Sequence, residues 1–194
     1  MARGDYGPGT ALLVVDVQND FADPDGNLYV DGGEQIIPGI NDEIVAARAA
    51  GALVVYTQDW HPESTPHFEK DGGTWPVHCV GGTWGAELHP DLEVDGPTVK
   101  KGTEGGDGYS GFSVRDPESG EETATPLDAI LEEHGVQRVR VVGLAQDVCV
   151  KATVLDARDR GYETVLLASL TRPVDPDAGE QALEEVSAAG AEIA

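Results

Sequence analysis

Short apolar runs, each separated from the next by a segment of helical periodicity, constrain this chain more than any other feature. ALLVVDVQ (11–18) is almost unbroken in apolar residues, as befits a strand buried on both faces of a parallel sheet. Apolar positions at helical spacing follow in QIIPGINDEIVAARAA (35–50) and stop at Gly51, after which ALVVYTQ (52–58) reads as a second buried strand. PTVKK (97–101) reads as a short strand and SVRDPESGEETA (113–124) as an exposed hairpin or turn. Thr125 and Pro126 then start a helix that ends on Gly135. The remainder alternates: strand 136–144, helix 147–161, strand 163–169, helix 177–190 and a last short strand, AEIA. This order predicts a three-layer α/β architecture, an open, mostly parallel, Rossmann-like sheet with helices on both faces and right-handed crossovers. A chain of 194 residues is expected to form a single domain over 1–194. Its one long departure from the sheet, 59–97, holds all three tryptophans and four of the five histidines. Excursions of that length are usually functional.

Charge narrows the partners. Against 12 Lys+Arg stand 36 Asp+Glu, a formal net charge of -24, so the surface repels a phosphate backbone and an anionic bilayer alike. Neither nucleic acid nor membrane is expected as a partner. The same excess suits high salt as well as an ordinary acidic cytosolic protein. No apolar run approaches the roughly 20 residues of a membrane span, and MARGDYGPGT lacks the basic start and apolar middle of a signal peptide. The chain is therefore expected to stay in the cytoplasm. There, at least one of Cys79 and Cys149 should be a free thiol.

In sheets of this kind ligands bind beyond the carboxyl ends of the strands. Asp16 falls at the end of the first strand, Asp59 and His61 just past the second, and Cys149 in the first turn of the helix after 136–144. Unpaired N–H groups and the dipole at a helix start favour a thiolate, although a lone cysteine there is equally compatible with simple packing. A carboxylate ending an apolar strand needs a partner, and a cysteine proton or a lysine ammonium would serve. Lys100 and Lys101 precede GTEGGDGYSGF. A lysine in the crevice would hold Asp16 ionised and lower the Cys149 pKa; solvated lysines beside a loop are the alternative. Two apart in extended chain, Asp59 and His61 face the same side. With His67 and His78 they form a sensible donor set for a divalent transition metal such as zinc, iron or manganese, though scattered surface histidines look the same. Cys79 is expected to pack, and His89 and His134 are assigned no chemistry. The glycines after Lys101 match no phosphate-binding loop.

Five segments in this order, VVDVQNDF (14–21), QDWHPESTPHF (58–68), TWPVHCVGGTWGAELHP (74–90), KKGTEGGDGYSGF (100–112) and GLAQDVCVKATVLDA (143–157), resemble the isochorismatase-like cysteine hydrolase superfamily and, within it, the nicotinamidases. The resemblance implies a catalytic Asp16, Lys101 and Cys149. It also implies an oxyanion hole from the backbone N–H groups of Ala145 and Cys149, with a cis peptide between Leu144 and Ala145. Asp59, His61 and His78 are the implied metal ligands; His67 stands where some members have a further ligand and others only a neighbour. Phe21 and Trp75 are implied in the substrate pocket, with Tyr109 of YSGF as a further contact. The implied reaction hydrolyses nicotinamide to nicotinic acid and ammonia through a cysteine thioester, with one divalent metal, zinc first. Pyrazinamide is left open as a second substrate, and a homo-oligomer is compatible. Isochorismatases and carbamoyl-amide hydrolases generally lack the metal set, and an inactive relative would have lost a member of the triad.

Overall fold

The structure is a computed structural model describing residues 6–194. The reading of the amino end rests partly on residues 1–5, which lie outside the described residues. Strand β1 (Thr10–Val15) is buried throughout and divides its side chains between two cores. Leu12 and Val14 join one, while Ala11, Leu13 and Val15 join the other. Burial on both faces removes the need for a polar alternation, which is why the run is continuous. After the single turn α1 (Asn19–Ala22), helix α2 (Gly33–Ala49) lays Ile36, Ile37, Ile40, Ile44 and Ala47 on the first core. Next come β2 (Leu53–Asp59), β3 (Thr98–Lys101) and a separate antiparallel hairpin, β4 (Ser113–Arg115) with β5 (Glu122–Ala124). The chain then alternates through α3 (Leu127–Glu133), β6 (Arg138–Leu144), α4 (Lys151–Asp159), β7 (Glu163–Arg172), α5 (Pro176–Ala188) and β8 (Glu192–Ile193). Helices α3, α4 and α5 cover the second core with Leu127, Leu131, Val154, Ala157 and Val186.

The six-stranded sheet has the order β3-β2-β1-β6-β7-β8, and every pairing in it is parallel. Strand order runs outward in one direction from β1 and in the other from β6, so their junction is the topological switch point. A crevice opens beyond the carboxyl ends of such a pair. The stretch 60–97 is pinned across this end by one-pair bridges, His61 to Val80, Phe68 to Trp75 and Gln18 to Leu88.

Several expected boundaries move by a few residues, the strand expected over 163–169 running on to Arg172, and two move for a visible local reason. Strand β1 stops at Val15 instead of continuing to residue 18, because Asp16 takes φ +49°, a left-handed conformation that turns the chain out of the sheet. The helix expected over 147–161 begins as a wide π-type turn, Gln146–Val150, before the regular α4. No helix among the described residues is long and apolar enough to cross a membrane.

Candidate active site

Four strand ends deliver the reactive groups to one place: Asp16 after β1, Asp59 ending β2, Lys101 ending β3 and Cys149 in the turn after β6. Asp16 and Lys101 are 0% and 1% exposed. A buried ammonium is costly unless paired, and this one is paired twice. Lys101 Nζ lies 2.7 Å from Asp16 Oδ2, 2.5 Å from Asp59 Oδ1 and 3.7 Å from Cys149 Sγ, and also donates to the Gly108 carbonyl. Burial opposes the charge on Lys101, but Asp16 and Asp59 outweigh it and hold the pKa well above the ordinary lysine value. Its neighbour Lys100 faces away, with Nζ 3.3 Å from the centroid of a Trp60 ring.

Asp16 is fixed by Thr57, whose hydroxyl donates to Oδ1 (2.6 Å) and accepts the Asp16 backbone N–H (3.2 Å). Burial raises the Asp16 pKa above the ordinary carboxylate value; Lys101 opposes the rise and Asp59 adds to it. Asp16, Asp59 and Cys149 bring their reactive atoms within 4.8 Å of one another. Burial also pushes the Cys149 thiol well above its usual value, with Lys101 opposing and the two carboxylates adding. The expectation of a thiolate stored at the helix start is corrected here. In a dry site burial is the largest influence on the sulfur and outweighs the neighbouring lysine, so the protonated thiol is favoured. The peptide between Leu144 and Ala145 is cis.

His61, His67 and His78 are all buried, and one ring nitrogen from each lies within 4.8 Å of the others. Asp59 joins this cluster to the lysine: its Oδ2 is 3.6 Å from His61 Nε2 and 3.7 Å from His78 Nε2, while Oδ1 faces Lys101. Burial disfavours the Asp59 carboxylate, but Lys101 is the largest opposing influence and the pKa lies well below the usual range. The hydrogen bonds fix two tautomers. His78 Nδ1 donates to the Pro76 carbonyl (2.7 Å) and His67 Nδ1 to Asp107 Oδ1 (2.6 Å), leaving Nε2 on each as a lone-pair donor. Neither nitrogen of His61 has a hydrogen-bond partner among the described residues, although the ring is 1% exposed. A buried orphan imidazole beside two others and a carboxylate is what a divalent-metal seat presents without its ion, so the donor set fits such a metal.

A pocket opens onto both clusters. Phe21, Trp75, Tyr109, Ala145 and Cys149 line it, with His67 and His78 on the metal side. Trp75 Nε1 donates to the Tyr109 hydroxyl (3.0 Å), holding two of the aromatic walls together. Cys79 is buried, with Sγ 3.8 Å from the Gly85 carbonyl, and burial raises its thiol well above the ordinary value, as suits packing. His89 lies 3.7 Å from Asp23, and His134 bonds the Ile130 carbonyl at its helix end.

Sequence reasoning missed several contributors. Leu28, Val30, Val148 and Val174 complete the pocket, and nothing in their local pattern separates them from other apolar residues. Gln18 clamps Asp59, accepting its N–H and donating to its carbonyl, both at 2.8 Å. An amide two residues past Asp16 in an otherwise apolar run was the available signal.

A family model for the isochorismatase domain matches residues 10–194. Over 188 residues the chain is 40% identical to the nicotinamidase/pyrazinamidase of Mycobacterium tuberculosis, covering 94% of this chain and 97% of that protein. Among solved structures, the zinc complex of the pyrazinamidase of Pyrococcus horikoshii superposes with a TM-score of 0.86 at 43% identity, covering 96% of this chain and 99% of the other. An L. infantum protein solved with nicotinate gives a TM-score of 0.88 at 37% identity, with 97% and 94% covered.

Proposed function

The chain belongs to the isochorismatase-like hydrolase superfamily, on the branch that holds the nicotinamidases, and from that premise we propose that it hydrolyses nicotinamide to nicotinic acid and ammonia, with Cys149 as nucleophile. The observation that carries this reading is one small, mostly apolar pocket with the Cys149 sulfur of a buried Asp-Lys-Cys set on one wall and His67 and His78 on another. Its aromatic walls, Phe21, Trp75 and Tyr109, suit a flat heteroaromatic ring whose carboxamide would face Cys149.

The chemistry follows from the proton positions. Cys149 holds its proton at rest, and Asp16, kept as a carboxylate by Lys101 and Thr57, accepts it as sulfur attacks the carboxamide carbon. The carbonyl oxygen gains the charge, and the backbone N–H groups of Ala145 and Cys149 are assigned to it. When the C–N bond breaks, Asp16 returns the proton to nitrogen, ammonia leaves and a nicotinoyl thioester remains. Water then adds to the thioester carbon while Asp16 takes its proton. The C–S bond breaks, the proton returns to sulfur, and nicotinic acid departs. A divalent ion, zinc by preference, held by Asp59, His61 and His78 with His67 as further ligand, would supply Lewis acidity toward the ring nitrogen and so help orient the ring. Lys101 moves no proton in this scheme; it keeps two carboxylates charged beside a thiol.

The test is an ammonia-release assay on metal-loaded protein with nicotinamide, pyrazinamide and benzamide. Nicotinamide should give ammonia and nicotinate one for one. Benzamide, lacking the ring nitrogen, should lose roughly tenfold or more in kcat/KM, and chelation should lower turnover of nicotinamide. Equal kcat/KM on benzamide would remove the metal cluster from substrate recognition, and no ammonia from nicotinamide would overturn the assignment.

A further inference from the structure

We infer that Asp107 is a positioning residue that turns His67 into a metal ligand and ties the metal seat to the loop carrying the carbonyl acceptor of Lys101. The inference rests on the metal-dependent reading above and extends it to a residue outside the ligand set. The three imidazoles are anchored differently. His78 is oriented by the carbonyl of Pro76, only two residues away, whereas His67 is oriented by a side chain 40 positions distant, Asp107, at 2.6 Å. A carboxylate can only accept from Nδ1, so it selects the tautomer with Nε2 free and makes that nitrogen a stronger donor to a cation.

The carboxylate is itself held in place. Asp107 N–H donates to the Arg115 carbonyl (2.7 Å) and Arg115 N–H to the Asp107 carbonyl (3.0 Å), so both backbone groups of Asp107 are clamped to β4. A second tie between the segments that carry His67 and Asp107 runs from the Thr65 hydroxyl to the Gly105 carbonyl (2.6 Å). The residues after Asp107 reach other parts of the site: the Gly108 carbonyl accepts from Lys101, and the Tyr109 hydroxyl accepts from Trp75. Three consecutive residues thus address the metal cluster, the triad and the pocket wall. The Asp107 side chain is 20% exposed and the His67 ring 4%, so this contact is largely shielded from water. Its consequence is orientation.

The experiment measures zinc dissociation constants by competition with a chromogenic chelator. It uses the metal-free full chain as wild type, Asp107→Ala, Asp107→Asn, His67→Ala and the double variant Asp107→Ala/His67→Ala. Loss of a group that orients a ligand typically weakens metal affinity about 10- to 100-fold, so Asp107→Ala should bind zinc that much more weakly. Asp107→Asn, whose amide oxygen still accepts from Nδ1, should recover part of the loss. In the His67→Ala background, Asp107→Ala should cost nothing further. The inference is overturned if Asp107→Ala binds zinc like wild type, if Asn rescues nothing, or if Asp107→Ala costs as much without His67 as with it. A wild-type chain that takes up no zinc would instead defeat the metal reading itself, so the two failures are distinguishable.

Discussion

A carboxylate, an ammonium and a thiol share a volume that water barely reaches, at Asp16, Lys101 and Cys149. Each alone would be expensive to bury; together with Asp59 they hold one another in place. The balance is set by single hydrogen bonds, and Thr57 offers the cleanest place to disturb it. Its hydroxyl stabilises the charged form of Asp16, so it lowers a pKa that burial has raised. Asp16 must be a carboxylate to take the thiol proton, so kcat/KM should fall on the acid side through a midpoint above the ordinary carboxylate value of about 3.9. That midpoint belongs to the coupled set rather than to Asp16 alone. Removing the hydroxyl in Thr57→Val removes a lowering influence, and the acid limb should move to higher pH. A pH profile that is unchanged or shifts down would show that Thr57 does not tune Asp16. Asp16 stood out in the sequence because a carboxylate ending an apolar strand needs a partner, whereas the choice of Lys101 over Lys100 and of a nucleophilic over a packing Cys149 came from the family resemblance. Thr57 and Asp107 did not stand out. They are ordinary residues whose roles come from partners 41 and 40 positions away.

At the scale of elements, β1 and β6 lie so close that their junction admits no side chain at Gly143. A Cβ there would stand 2.1 Å from the Val15 carbonyl oxygen, and φ is +116°. Gly143→Ala should therefore destabilise the fold by at least about 1–3 kcal/mol, read as a lower midpoint in urea. It should also impair activity, since Val15 leads directly into Asp16. Gly51 is the control: it has φ +74° but open space around its Cβ position, so Gly51→Ala should cost only about 1–2 kcal/mol of left-handed strain. Equal costs at the two positions would deny that the junction is close-packed. The alternation of strand and helix was readable because strands covered on both faces are apolar throughout, and each crossover helix carries its own periodicity. The π-type turn at Gln146–Val150 was not readable. Its sequence, QDVCV, is compatible with an ordinary first helical turn.

For the whole molecule, a net charge of -24 on 194 residues makes self-repulsion a standing cost of compactness. The Debye length shrinks from about 30 Å at 0.01 M salt to about 3 Å at 1 M, so added potassium chloride should screen that repulsion and raise the thermal unfolding midpoint steadily. A midpoint that is flat or falls over that range would mean that the acidic surface carries no such penalty. The excess of acid was plain from composition. The same crowding of negative charge makes the buried Lys101 stand out, because it is the cation that lets two carboxylates sit beside a reactive thiol. Whether that thiol does the chemistry is the central question. It is answered by comparing nicotinamide hydrolysis by wild type and Cys149→Ala, each loaded with metal and checked for equal metal content. The account predicts a loss of at least about a hundredfold in kcat on removal of the nucleophile, with the metal retained. A Cys149→Ala protein that keeps its metal and more than about a hundredth of the rate would show that water, not sulfur, attacks the amide.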